Sequence, residues 1–467
     1  MRSATDVVNL GPWRVPWYVA LGLWLTEFVV VTVYGSDLDA AWSSWRLAFW
    51  ALAVWGLNLI VLYYGVGPPY TLSRIPTLSV VFGFLMTVLG SGSYWATTQV
   101  FPSYRVSIER AALFVAVCTV LSLLGCMGVR LWSSLRAPPI RRSQFVWHWG
   151  RLRVLTFALL GVCMLATYVS ITRIGYIALF AGDPESVRLE LPAILGVWHR
   201  LSVQLGILVG LMAAAQICSR RADRLTWVAG LTGIACASLY GNRFFIALPV
   251  AATFLLWDQA RQRVSLRVVV IAFMVGVPSL SLIGFWRYQK APIDVLGPAG
   301  LVAYGTLLEF RDLAWSIDHY SGGAHPLLHG STLGGLVVPM LPGAVWSALG
   351  VDKAAVYANS NAVALAREMG QDTPQRIGLY GELFINFGWL GAFVGAVIYG
   401  AFLGCVDSRF LALDNAEAVR AIVLAVVAVV VVYAQMGQWD MDTTAVTSTC
   451  YPILLLALVA ARRYAPQ

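Results

Sequence analysis

Charge is what this chain has least of. Asp, Glu, Lys and Arg make up 12% of its 467 residues, against about a quarter in a soluble globular domain, which excludes an ordinary water-soluble globule. Lysine is nearly absent: of 32 basic residues only Lys290 and Lys353 are Lys, a bias that fits planar anion recognition or a GC-rich genome. The seven cysteines (Cys118, Cys126, Cys163, Cys218, Cys236, Cys405 and Cys450) are scattered, mostly in apolar runs and without CxxC spacing, so neither a zinc cluster nor a disulfide framework is implied. There is no GxSxG elbow, no phosphate-cradling P-loop, no GxGxxG and no HExxH, which leaves hydrolase, NTPase, dehydrogenase and zinc-protease chemistry without a sequence handle.

What the chain has instead is apolar length. Hydrophobic residues reach 59% and mean hydropathy is +0.73. Apolar stretches of the length a bilayer demands fall at about 17–34, 45–65, 77–96, 111–132, 152–171, 201–218, 225–240, 244–258, 267–286, 379–405, 418–436 and 446–461. The sequence therefore predicts an all-α, polytopic integral membrane protein, a single membrane domain over 1–467 with about 12 transmembrane helices. The first run contains Glu27 and has no clear small-residue cleavage site, and it reads as an uncleaved span.

The net charge of +9 would point to nucleic acid in a soluble protein, but here it marks loops. Arg130, Arg136, Arg141, Arg142, Arg151 and Arg153 lie between spans four and five, Arg220, Arg221 and Arg224 between six and seven, and Arg261, Arg263 and Arg267 between eight and nine. The positive-inside rule gathers these clusters on one face only if both termini are cytoplasmic. The external face then carries a medium loop at 172–200 and a large loop at 287–378. Within the large loop, Ser331 to Gly350 is apolar but holds four glycines and two prolines. Counting it as a span would put Arg462 and Arg463 outside, so it is expected to be interfacial, re-entrant or a helical hairpin.

Most unusual polar groups outside the cytoplasmic loops map to the external face. The medium loop offers Arg173, Arg188, His199 and Arg200, suited to phosphate oxygens or to lipid headgroups. Arg243 sits on an almost loop-free hairpin, Tyr240-Gly241-Asn242-Arg243-Phe244, and a charge pinned at a membrane edge is by default a site hypothesis. The large loop adds Arg287, Arg311, Arg367 and Arg376 with several acids and histidines. His325 and His329 are four apart, but Pro326, Gly323 and Gly330 argue for irregular loop and against a helical metal pair. No metal is expected. Glu382 stands out most, in Tyr380-Gly381-Glu382-Leu383-Phe384-Ile385-Asn386-Phe387-Gly388-Trp389-Leu390-Gly391, where the large loop re-enters the membrane.

These residues resemble the Wzy-type O-antigen and exopolysaccharide repeat-unit polymerases. The resemblance rests on the Gly241-to-Phe244 hairpin, the Pro339-to-Trp346 stretch and above all the segment around Glu382; Arg311 and Gly322 also stand at an arginine-to-glycine spacing that some members carry. It implies a GT-C-like, metal-independent membrane glycosyltransferase of the bacterial inner membrane with its active site on the periplasmic face and no cofactor. Its substrate would be an undecaprenyl-pyrophosphate-linked oligosaccharide repeat, and its partners membrane lipids, a chain-length regulator and a flippase. Arginine forks can stabilise the charge that develops on a departing pyrophosphate, and a carboxylate can take the proton of an attacking sugar hydroxyl. On that reading Glu382, Arg243 and Arg311 are the catalytic candidates, while Arg188, Arg173, Arg287, Arg376, Tyr380 and Asn386 are candidates for binding pyrophosphate or sugar. Two alternatives stay open: an O-antigen ligase, and a lipid-linked oligosaccharide flippase, for which Glu27, Asn58, Gln204, Gln216 and Gln435 are the few mid-span polar residues.

Overall fold

An apolar segment in a bilayer becomes a helix because only a helix satisfies every backbone group from within one strand of chain. The computed structural model of this chain follows that rule and describes residues 50–62, 75–81, 83, 84, 87, 90, 108–136, 145–147, 149–175, 193–218, 222–239, 308–322, 325–333, 343–352, 365, 377–411 and 461–463. In chain order the helices are α1 (Trp50–Ile60), α2 (Ile108–Arg136), α3 (Trp149–Ile174), α4 (Ala193–Cys218), α5 (Arg224–Ser238), α6 (Leu308–Ser321), α7 (Gly343–Ala348) and α8 (Gly378–Leu411). Among the described residues, three helices are long and apolar enough to cross a membrane: Ile108–Trp132, Trp149–Ile174 and Gly378–Ser408. They coincide with the expected spans at 111–132, 152–171 and 379–405.

Four features add to the expectation. Phe145–Trp147 (β1) and Ala461–Arg463 (β2) pair antiparallel, Phe145 opposite Arg463 and Trp147 opposite Ala461, a three-residue ribbon beside an otherwise helical fold. The ribbon ties the α2–α3 connection to residues 461–463. Helix α3 runs to Ile174 and α4 starts at Ala193, so helical structure enters both ends of the 172–200 segment. Among the described residues, the apolar piece at 331–350 contributes one 3-10 turn, Ser331–Leu333, and the short α7. Finally, α8 is broken within its membrane stretch, at Gly388.

Helices in lipid gain little from burying apolar surface against one another, so they associate through small residues and hydroxyls. Gly400 lies against the backbone of Ser122, and Gly404 against that of Cys126. The Ser122 hydroxyl donates to the Ala396 carbonyl at 2.9 Å. The contacts advance in step along both helices, so α2 and α8 run parallel. In α3, α4 and α5 the order reverses at each step: Thr167 meets Ser202 (2.6 Å) while Gln216 donates back to Thr156 (2.9 Å), and Gly206 packs on Gly233 while Gly230 packs on Ala213. Outward, α3 exposes Val154, Leu165 and Tyr168 and α8 exposes Leu390, Val394 and Ile398, apolar surface that a bilayer covers.

The helix α6 was not expected inside the large loop. Its Phe310, Leu313, Ala314 and Ile317 are fully buried, and it lies across the N-terminal ends of α2 and α8. There Arg110 donates to Asp318 at 3.1 Å and to Ser321 at 3.2 Å, and Leu313 lies against Gly381.

Two stability predictions follow from this packing. Gly400→Val would drive a side chain into the Ser122 carbonyl, and overpacking of this kind costs about 1–3 kcal/mol; the detergent-solubilised variant should melt below the parent, whereas Gly128→Ala, with open space around it, should not. At the start of α5, Asp223 accepts from the Thr226 N–H (2.9 Å) and hydroxyl (2.8 Å) and pairs with Arg153. The bonds from Thr226, aided by Arg153, hold its carboxyl below the ordinary carboxylate range. Because the folded-state value is the lower one, this cap contributes above the unfolded carboxyl's range and is lost as pH falls through the folded value. Asp223→Asn should therefore melt lower than wild type at neutral pH, and the gap should close in melts at acidic pH.

Candidate functional site

The site is built on the first turns of α8. The helix starts after buried Ile377 with Gly378 in a left-handed conformation (φ 64°), and Tyr380, Glu382, Phe384, Ile385 and Asn386 are all buried. It breaks at Gly388, whose φ of 67° and ψ of −164° lie in a region essentially reserved for glycine. Beyond the break Trp389 packs edge-on against Phe114 (5.5 Å between centroids) and Phe384 (4.8 Å), which fixes the second segment to α2.

A helix end leaves its last carbonyls without intrahelical donors, and in a membrane such groups must find partners in the protein. The loop 325–333 supplies them. Leu328 N–H donates to the Ile385 carbonyl at 2.9 Å and His329 N–H to that of Asn386 at 3.1 Å. The loop can turn this tightly because His329 and Gly330 adopt positive φ, 48° and 84°. Gly330 N–H then donates to the Asn386 side-chain oxygen at 2.8 Å. The Asn386 amide nitrogen donates both to the Thr332 hydroxyl (2.7 Å) and to the Glu382 carbonyl (2.8 Å), and Thr332 Oγ1 stands 3.5 Å from Glu382 Oε1. Glu382, at 2% exposure, is thus an acid inside an apolar helix whose polar surroundings include residues brought from a distant loop.

The other expected site residues sort by position. Tyr380 bonds to Ser122 at 2.8 Å; since the Ser122 proton goes to the Ala396 carbonyl, Tyr380 is the donor. Arg311 is buried on α6, its Nε and Nη2 reaching Oδ1 of buried Asp312 at 2.9 and 2.7 Å, so its charge is balanced locally. Arg173 is exposed in the last turn of α3, where the helix dipole favours a cation. Arg188, Arg243, Arg287 and Arg376 lie outside the described residues, and so does the expected meeting of Arg243 with Glu382. The structure brings Glu382, Tyr380 and Asn386 into one two-turn segment, with Arg311 on the helix packed over it. No sequence signal pointed to Thr332, which sits in an apolar run, or to Ser122, which sits mid-span.

His325 and His329 lie in irregular loop, not on one helical face. His325 stacks on His319 at 3.6 Å, and His319 on Trp315 at 4.3 Å. Among the described residues no group of three or more metal-ligating side chains gathers.

No known protein family, curated protein or solved structure matches this chain. The chemistry therefore rests on the residues themselves. Their arrangement offers a buried carboxylate within a membrane helix, a hydroxyl and an amide beside it, and a guanidinium on the adjoining helix.

The role of Asn386 in holding the loop is open to measurement. Asn386→Leu removes the Gly330, Thr332 and Glu382 bonds together, and each net hydrogen bond contributes on the order of 1 kcal/mol. Amide exchange at 328–330 should accelerate by about tenfold or more, read by mass spectrometry on the detergent-solubilised protein, while exchange in α3–α5 stays unchanged.

Proposed function

We propose that this protein is a metal-independent membrane glycosyltransferase that polymerises undecaprenyl-pyrophosphate-linked oligosaccharide repeat units on the periplasmic face of the bacterial inner membrane, for O-antigen, capsule or exopolysaccharide. The observation that carries the reading is Glu382, buried on a broken membrane helix and framed by a loop from the face where such a substrate would arrive. An ionisable group at such a place is costly unless it has a function.

The helix directions fit the proposed 12-span topology. Parallel α2 and α8 correspond to the fourth and tenth spans, which five intervening crossings separate, so both run in the same direction. The β1–β2 ribbon joins the α2–α3 connection to residues 461–463, segments that the charge rule puts together on the cytoplasmic side. The loop helix α6 lies at the other end of α2, where the large loop would be periplasmic.

In the proposed reaction a hydroxyl of the incoming repeat attacks the anomeric carbon of the growing glycan. A glycosidic C–O bond forms as the C–O bond to pyrophosphate breaks, and the electron pair leaves with the carrier-bound diphosphate. Glu382 takes the hydroxyl proton as general base. Arg243, Arg188 and Arg311 are proposed to stabilise the departing diphosphate, with Arg173, Arg287 and Arg376 as further anion contacts. No cofactor enters these steps. A flippase would supply the substrate at the outer face, and a chain-length regulator would set the product's size.

Glu382→Ala should abolish long-chain polysaccharide, since loss of a general base costs about 10²–10⁴ in rate, while the protein still inserts and accumulates. Gel ladders of surface glycan, with an immunoblot for the protein, give the answer. A normal ladder would remove the proposed role of Glu382, and long polymer stranded on the carrier lipid would mark a ligase.

A further inference from the structure

The hydrogen bonds around Glu382 have a fixed polarity, and that polarity can be followed from a backbone group to the carboxylate. An asparagine amide can be read in two orientations, but the Gly330 N–H can only donate, so the Asn386 atom it meets at 2.8 Å is the oxygen. That leaves the amide nitrogen facing the Thr332 hydroxyl at 2.7 Å and the Glu382 carbonyl at 2.8 Å. With a lone pair of Thr332 taken by this donor, its own proton is free to point elsewhere, and Glu382 Oε1 lies 3.5 Å away. Thr332 is 1% exposed and Asn386 is 0% exposed, so water does not compete for these bonds.

We infer that Asn386 and Thr332 are positioning residues: together they form a donor relay, running from the Gly330 amide, that aims a hydroxyl at Glu382 and holds its carboxylate ready to accept a proton from the substrate. The inference rests on the reading of Glu382 as general base and adds two residues to it, one of them from the distant loop. The relay also couples the site to the break at Gly388, because the same loop caps the carbonyls of Ile385 and Asn386. A loop displaced by a partner would move Thr332 away from the carboxylate. Its 3.5 Å spacing is long for an O–H···O bond, and the relay tightens when the substrate hydroxyl presses Glu382 toward it, as catalytic hydrogen bonds do on forming the reactive complex.

The test uses full-length protein in native membranes and, as probe, the carrier-lipid-linked glycan extracted from a strain lacking this gene. Thr332→Val keeps the shape of the side chain and removes the donor, while Thr332→Ser keeps the donor. Initial rates of chain extension should show kcat lowered by about ten- to a hundredfold in Thr332→Val with KM within about twofold, and Thr332→Ser should restore most of the rate. Glu382→Gln serves as the reference. If Glu382→Gln is inactive while Thr332→Val works at the parental rate, or if Thr332→Ser is as impaired as Thr332→Val, the relay is overturned and the base assignment stands. If Glu382→Gln extends chains normally, or wild-type membranes do not extend the extracted glycan at all, the underlying reading fails and the relay falls with it.

Discussion

The interruption of α8 at Gly388 is the constraint on which the rest of the site depends. A continuous helix there would have kept its own hydrogen bonds and given the loop no reason to approach. Once the chain turns at φ 67°, the carbonyls of Ile385 and Asn386 need outside donors, and a bilayer offers none. Leu328 and His329 supply them, and by doing so they carry Thr332 to Glu382. The polar site and the helix break are therefore one structural event. Leu327 Cδ1 stands 3.3 Å from where a Cβ would lie at Gly388, so the positive φ is the main reason for glycine there.

Stability elsewhere follows a different rule. Close approach of α2 to α8, and of α4 to α5, depends on glycines facing backbone or small side chains across the contact, as expected where lipid leaves little apolar driving force. The aromatic cluster of Phe114, Phe384, Trp389 and Phe393 then fills the space around the break. Rigid packing on the α2 side sets the stage on which the loop side can hold a carboxylate in place.

Much of this was legible in the sequence because the signal was local. A run of apolar residues has a length and a mean hydropathy, and those alone placed α2, α3 and α8 within a few residues. Glu382 was legible as a charge where none belongs. The interior break was not, since Gly388 is one of many glycines and nothing in its neighbours distinguishes the one that turns. The helix α6 alternates apolar and charged residues, so its burial depends on partners from α2 and α8 that only the folded chain supplies. Thr332 and Ser122 gained their meaning the same way, by long-range approach. The β1–β2 ribbon joins segments more than 300 residues apart, and three-residue strands carry no periodicity to detect.

The polar residues within the membrane also bear on whether the chain moves a lipid or acts on it. A translocation route needs polar groups with bonding capacity to lend to a passing headgroup. Asn58, one of the few mid-span polar residues, donates to the carbonyls of Val54 and Ala116, and Gln216 donates to Thr156 and to the Met212 carbonyl. Thr167, Ser202 and Cys163 bond among themselves and to backbone. These donors are committed to holding helices together, which is the common use of such residues in bundles. The acid at Glu382 differs in kind. Its polar neighbours include a residue of a distant loop, and it lies near one end of its helix, where the proposed substrate would not have to cross. Among the described residues that asymmetry, with a bonded interior and a loop-framed acid at one rim, supports the proposed chemistry at a surface over passage through the bundle.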